Sequence, residues 1–242
     1  PTPVDSAAHQ HPEVYRELVY AAALCNDASL DPDRKGEIIG DPTEGALIYM
    51  AQSFGIDHEG LEKQYPRAFE QPFDSDRKRM TTVHQIDGRW TAYTKGAVDE
   101  MLPLCTHILT SSGVRPITET DKANITALCL SMSECALRVL GFAMRALPAL
   151  PENDGENVEF DLTFLGDAGM LDPPRREVAE SVRTCRQGGI RTIMITGDHK
   201  VTALAIAKEL GIYQEGATVI SGDELEHMTD GALASAVPTA PG

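Results

Sequence analysis

The sequence predicts an α/β chain: a mixed, largely antiparallel sheet with helices, followed by an incomplete parallel α/β segment. Three observations carry this. In "MTTVHQIDGRWTAYTKGA" two alternating runs flank Asp87-Gly88, the pattern of a tight hairpin. From "LTFLGDAGML" onward strand-like and helix-like stretches alternate, which implies parallel strands with helices on their faces. Between the two patterns, "PALPENDGENVE" (148–159) is rich in Pro, Asn, Gly and acid and reads as a junction or a surface excursion. It divides the chain into domains at 1–150 and 151–242.

Element by element, "HPEVYRELVYAAALCND" predicts a first helix. Pro12 suits its first turn, and Val14, Leu18, Ala21, Ala22 and Cys25 fall near one face. "SLDPDRKGE" is a polar loop. In "GDPTEGALIYMAQSFGI", Asp41 is placed to cap a helix, with Pro42 first, Glu44 third as an acidic capping box, and Gly55 at the end. "YPRAFEQPFDSDRKR" predicts a short helix, a strand start and a turn. After the hairpin, a helix fits "AVDEMLPLC", broken near Pro103. A hairpin or loop surrounds "LTSSGVRPI", a long helix fits "TETDKANITALCLSMSECAL", and "RVLGFAMRAL" is a buried strand. Beyond the junction come a strand at "LTFLGDAGML", a helix over 176–187, a strand at "RTIMI", a helix to Leu210, a strand at "ATVIS" and a helix from Asp223, before a frayed tail.

Composition excludes several function classes. The net charge of −16, from 21 Lys+Arg against 37 Asp+Glu, repels nucleic-acid backbones and anionic lipid faces, so neither partner is expected. No apolar run reaches the roughly 20 residues of a membrane helix, and the polar N-terminus lacks an apolar leader, so the chain reads as soluble. The five cysteines form no C-x-x-C pair and the seven histidines show no metal spacing, which suits a reducing, cytosolic setting.

"IRTIMITGDHKVTALAIAKELGI" carries the clearest chemistry. An apolar run ends at Thr196-Gly197-Asp198 and a helix-like stretch follows. Glycine permits the sharp turn, the helix start offers N–H groups to a phosphate, and Asp198 supplies an oxygen ligand for Mg²⁺. Ligands of parallel sheets collect at such strand ends.

Six motifs in fixed order, "GDPTEGAL" (40–47), "PFDSDRKRM" (72–80), "KGAVDEML" (95–102), "LRVLGFAMR" (137–145), "LDPPR" (171–175) and "MITGDH" (194–199), resemble the cytosolic part of P-type cation-transporting ATPases of the calcium-pump class. The resemblance covers nearly the whole chain. It implies an ATP-binding domain inserted into a Rossmann-like phosphorylation domain of the haloacid-dehalogenase type. ATP and Mg²⁺ are the implied cofactors, on the cytoplasmic face of a membrane pump. The family's phosphorylated aspartate stands in Asp-Lys-Thr-Gly-Thr, which this sequence lacks, as it lacks Gly-Asp-Gly-x-Asn-Asp. The chain is therefore expected to hold no catalytic residue of its own and to be an inactive piece of a pump. Its expected partners are the remaining phosphorylation, actuator and membrane domains.

The resemblance assigns roles residue by residue. Phe73 would stack on adenine, against the alternative of a core Phe beside Pro72. Glu44 would accept from the adenine amino group, against a purely capping role. Lys95 would line the nucleotide pocket, and Lys78 is a second cation for it, against solvated turn lysines. Arg138 would hold a phosphate in a bidentate fork, against a surface ion pair. Ser75 stands where some relatives carry Arg. Thr196, Gly197 and Asp198 would support the phosphate and Mg²⁺. Asp167, at an expected strand end, suits a rival reading as the nucleophile of a stand-alone phosphatase, although Gly169 replaces the acid such enzymes need. A third reading is an interaction module without ATP binding.

Overall fold

The computed structural model describes residues 12–34, 36–152, 157–171, 176–197 and 200–236. Helix α1 (Pro12–Leu24) follows the predicted first helix, and its Val19, Ala21, Ala22, Ala23 and Leu24 are buried. Small side chains there let the helix lie close to the sheet. The polar loop after it is closed by a two-residue ladder of β1 (Ser29–Leu30) and β2 (Ile38–Ile39).

Helix α2 (Pro42–Ser53) starts as its sequence requires, with Asp41 accepting the Thr43 N–H at 2.7 Å and Pro42 in the first turn. It ends in a Schellman turn. Gly55 takes φ 77°, its N–H reaches Gln52 O, and the Ile56 N–H reaches Ala51 O. Helix α3 (His58–Gln64) is capped by Asp57.

A seven-stranded sheet holds β3 (Arg67–Asp74), β4 (Arg79–Ile86), β5 (Arg89–Gly96), β8 (Arg138–Leu147), β9 (Leu162–Met170), β6 (Cys105–Thr110) and β7 (Gly113–Pro116), in that spatial order. The β3/β4, β4/β5, β5/β8 and β6/β7 pairs are antiparallel, and β6/β9 is parallel, so the sheet is mixed as expected. Asp87 and Gly88 take φ 48° and 81° between the paired Ile86 and Arg89, which is the predicted two-residue primed turn. Helix α4 (Val98–Met101) passes into a 3₁₀ turn over Leu102–Leu104, the break expected at Pro103, and α5 (Glu119–Glu134) is the predicted long helix.

Apolar clusters cover both sides of the sheet. Phe142 and Leu165 pack with α1, α2, Met80 and Tyr93, whereas Ala143 and Phe164 pack with Val98, Met101 and Leu102. Neighbouring residues on a strand point to opposite faces, so these pairs define a front face under α1–α3 and a back face. A third back-face cluster joins Phe69, Val83, Ala92 and Val158.

The described chain forms two compact units. One comprises Pro1–Cys129 with Val139–Met170, the other Leu130–Arg138 with Leu171–Gly242. The sheet-bearing unit thus runs on to Met170, past the junction at 150. The segment "LTFLGDAGML" was expected to lead a separate parallel sheet. It instead forms β9, an interior strand of the seven-stranded sheet.

The second unit contains α6 (Arg176–Gln187), α7 (Lys200–Glu209), α8 (Gly222–Glu226) and α9 (Asp230–Ala236). Ser221 and Glu224 make a reciprocal capping box, and Lys200 adds an ion pair to Glu224 at 2.8 Å. The expected strands at "RTIMI" and "ATVIS" are not formed. A strand exists only through ladder bonds to a neighbour, and these segments have none among the described residues. Ile190, Ile193 and Ile195 stay 62%, 60% and 92% exposed.

Candidate functional site

Lys95 is the hub of the predicted site. It lies opposite Met80 in the β4/β5 ladder and faces the helical side of the sheet. Its side chain is 7% exposed and its ammonium bonds Glu44 Oε1, on α2. Glu44 Oε2 accepts the Asp27 N–H at 3.0 Å. Both carboxylate oxygens are therefore engaged by the end of the α1 segment and by β5, not by the reciprocal bond of a capping box. Asn26 fastens this corner: its amide donates to Ala22 O and Glu44 O, its Oδ1 accepts the Ala28 N–H, and its backbone carbonyl accepts Arg67. The sequence had singled out neither Asn26 nor Arg67. An Asn-Asp pair directly after an apolar helix was the one signal available.

Beside Lys95 runs the tight β3–β4 connection. Asp74 Oδ1 accepts the Asp76 and Arg77 N–H groups, and Asp74 O accepts the Lys78 N–H at 2.7 Å. The Asp74 carboxyl is held below its ordinary range by these backbone donors, that of Arg77 first. Lys78 sits at φ 51°, and its ammonium meets Glu100 at 3.2 Å, a half-exposed pair. Gly96 is obligatory here. A Cβ at that position would stand 2.5 Å from both Lys78 O and Arg79 Cβ.

Phe73, on β3 just before this connection, is 64% exposed. The alternative of a core Phe therefore fails: a ring that packs the interior is not left mostly in water. Phe73, Lys78 and Lys95 all occupy one end of three adjacent strands, with Glu44 reaching the same end from α2.

Behind this end, on the opposite face, lies a charged cluster that sequence reasoning missed. Glu159 is 3% exposed. It accepts from Arg77 NH1 at 2.6 Å, Arg79 Nε at 2.7 Å and Thr81 Oγ1 at 2.9 Å, and Thr81 in turn meets Thr94. A buried carboxylate is tolerated only with such partners. In the sequence Glu159 closes a polar, acidic stretch, and its isolated position gives no sign of the two arginines 82 and 80 residues away.

Arg138 opens β8, is exposed, and falls in the second unit. Thr196 and Gly197 are exposed there too, while Asp198 and His199 lie outside the described residues. Asp167 is not at a strand end. It is interior to β9, which continues to Met170, and burial raises its carboxyl. That position does not present it to a substrate as a phosphatase nucleophile would be presented. Among the described residues no group of three or more His, Cys, Asp or Glu could hold a metal ion, and no helix is long and apolar enough to cross a membrane.

Comparison with known proteins supplies the context for this arrangement. The profile of the family described as "P-type ATPase, cytoplasmic domain N" matches residues 14–177. The chain is 46% identical over 225 residues to the "Calcium-transporting ATPase 1" of Bacillus cereus, covering 93% of this chain and 25% of the relative. It is 38% identical over 216 residues to the protein of that name in Lactococcus lactis, covering 89% of this chain and 24% of the relative. To "Cation-transporting ATPase pma1" of Synechocystis it is 40% identical over 230 residues, 93% of this chain and 25% of the relative. The chain thus spans about a quarter of the length of these curated relatives. The matched stretch holds Glu44, Phe73, Lys78 and Lys95 together with the whole seven-stranded sheet, and on that footing the chain belongs to the P-type ATPase family, with residues 14–177 matching its cytoplasmic domain N.

Proposed function

We propose that the sheet-bearing unit binds ATP and serves as the nucleotide-holding part of an ATP-driven cation pump. The observation that carries this is Phe73. It is a solvent-facing ring at the same end of the sheet as a shielded Lys–Glu pair. A flat apolar ring in water has little use to the fold and offers a surface to a purine, worth about 1–3 kcal/mol by analogy with base stacking.

Glu44 and Lys95 neutralise each other in the free protein. An incoming nucleotide would take over both partners. The adenine amino group would donate to Glu44, and Lys95 would turn to a ring nitrogen or phosphate oxygen. Lys78, on the exposed turn, would meet the phosphate chain. The family resemblance gives Arg138 a phosphate role, and Thr196, Gly197 and Asp198 a role around the transferred phosphoryl group. Mg²⁺ would neutralise charge there. The acceptor aspartate motif is not in this sequence, so the other domains of the pump would complete phosphoryl transfer and form the aspartyl-phosphate. The names of the relatives make Ca²⁺ the cation proposed for transport.

Titrating the chain with ATP while following amide shifts tests this. Phe73→Ala should leave the fold intact, because the ring is exposed, and weaken ATP binding by about 5- to 100-fold. Absence of any response to millimolar ATP from folded protein, or equal affinity in the variant, would overturn the reading.

A further inference from the structure

The segment 72–79 bears two of the proposed nucleotide contacts, and besides its own turn bonds it is tied to the face opposite the one on which Lys95 and Glu44 meet. Arg77 leaves the turn toward the back of the sheet. Its NH1 reaches both oxygens of Glu159 at 2.6 Å, and its NH2 reaches Pro72 O at 2.8 Å. Arg79, on the next limb, gives Nε to Glu159 at 2.7 Å and NH1 to Arg77 O at 2.9 Å. One carboxylate thereby ties the residue before Phe73 to the strand after Lys78. Glu159 is itself fixed. Its N–H donates to Asn157 Oδ1 at 2.9 Å, and the preceding Val158 is buried among Phe69, Val83 and Ala92.

We propose that Glu159 is a positioning residue for the nucleotide site. Acting from the opposite face of the sheet through Arg77 and Arg79, it holds Phe73 and Lys78 in the geometry that receives the purine and its phosphates. This rests on the ATP-binding reading above. Two guanidinium groups beside one buried carboxylate are stable together. Without the negative charge they repel, Arg77 swings toward water, and Pro72 O loses its donor. Phe73 must then be ordered by the ligand itself, at a cost to affinity.

The experiment compares the full chain with its Glu159→Gln variant, using isotope-labelled protein, ATP as probe, and contacts between the Phe73 ring and adenine protons read by NMR. The expected result is an affinity about five- to tenfold weaker, the cost of ordering one or two loose side chains. The Phe73–adenine contacts should fade and the amide signals of 72–79 should broaden, while those of α1 and α2 stay unchanged. An affinity within about twofold of the parent, or a loss of affinity with Phe73–adenine contacts intact, would overturn the proposal. If Glu159→Gln does not fold, Arg77→Lys decides by the same readings. It keeps a cation for Glu159 but cannot also hold Pro72 O, so undiminished ATP binding in that variant refutes the role. A parent chain that binds no ATP refutes the nucleotide reading. In that event the relaxation of residues 72–79 is compared alone, and equal order in parent and variant refutes the positioning role as well.

Discussion

Replacing Gly96 with Ala tests how the Lys95 end of the sheet is built. The added Cβ would lie 2.5 Å from Lys78 O, 2.5 Å from Arg79 Cβ and 2.9 Å from Arg79 Cα. Carbon–carbon contacts are comfortable at about 3.5–4.0 Å, so β5 and β4 must part by about 1 Å. Neither strand is free to yield. Gly96 is also paired to Gly141 of β8, and the next residue, Ala97, donates its N–H to Lys78 O at 3.0 Å. Overpacking of this kind costs about 1–3 kcal/mol, and loss of the Ala97 bond adds roughly 0.5–1.5 kcal/mol. The expected sum is about 2–4 kcal/mol. Trp90, the one tryptophan in the sequence, sits on the same strand, so its fluorescence reports unfolding of this sheet. With a urea slope of about 2 kcal/mol per M, the midpoint should fall by about 1–2 M. A midpoint within about 0.2 M of the parent would show that the strands have room to spare, and the close-approach argument would be wrong.

Two further predictions concern ionisation. His84 is buried between Tyr65 O at 2.8 Å and Thr82 Oγ1 at 2.9 Å, and burial depresses its pKa below the ordinary 6.5. The unfolded chain therefore takes up a proton that the folded chain refuses, so stability falls as pH drops below about 6.5. Urea midpoints from pH 7 to 5 should show the decline, and His84→Gln should flatten it; an unchanged slope would contradict the assignment. Burial pushes the Cys105 thiol up to about 12 and raises that of Cys25, while Cys135 is exposed. Thiol labelling at pH 8 should modify Cys135 first and reach Cys25 and Cys105 only on unfolding. Because an unfolded thiol ionises near 9, Cys105 also lowers stability as pH rises from about 9 to 12. Native labelling of Cys105 as fast as Cys135 would refute its burial.

What the sequence made legible was local. Asp41-Pro42 encodes a helix cap, Gly55 and Asp87-Gly88 encode positive-φ conformations that few other residues adopt, and the structure uses them as read. Partner choice was not legible. "LTFLGDAGML" and "RTIMI" look equally strand-like, yet the first is enclosed in the sheet and the second has no ladder partner among the described residues. Apolar alternation encodes that a strand has a buried face, not which neighbour supplies its hydrogen bonds. At the site, Phe73 and Lys95 stood out because a motif carried them. Glu159 did not, because an acid in a polar loop looks solvated until the fold brings Arg77 and Arg79 to it.

The interior place of β9 has a consequence for how the protein is made. Synthesis delivers β3 to β8 first, and those strands cannot close the sheet, because β8 and β6 are joined only through residues 162–170. Until those residues emerge, a nascent chain displays two raw strand edges and leaves the sites of Leu162, Phe164 and Leu165 unfilled. Such an intermediate is prone to adhere to its neighbours on a polysome.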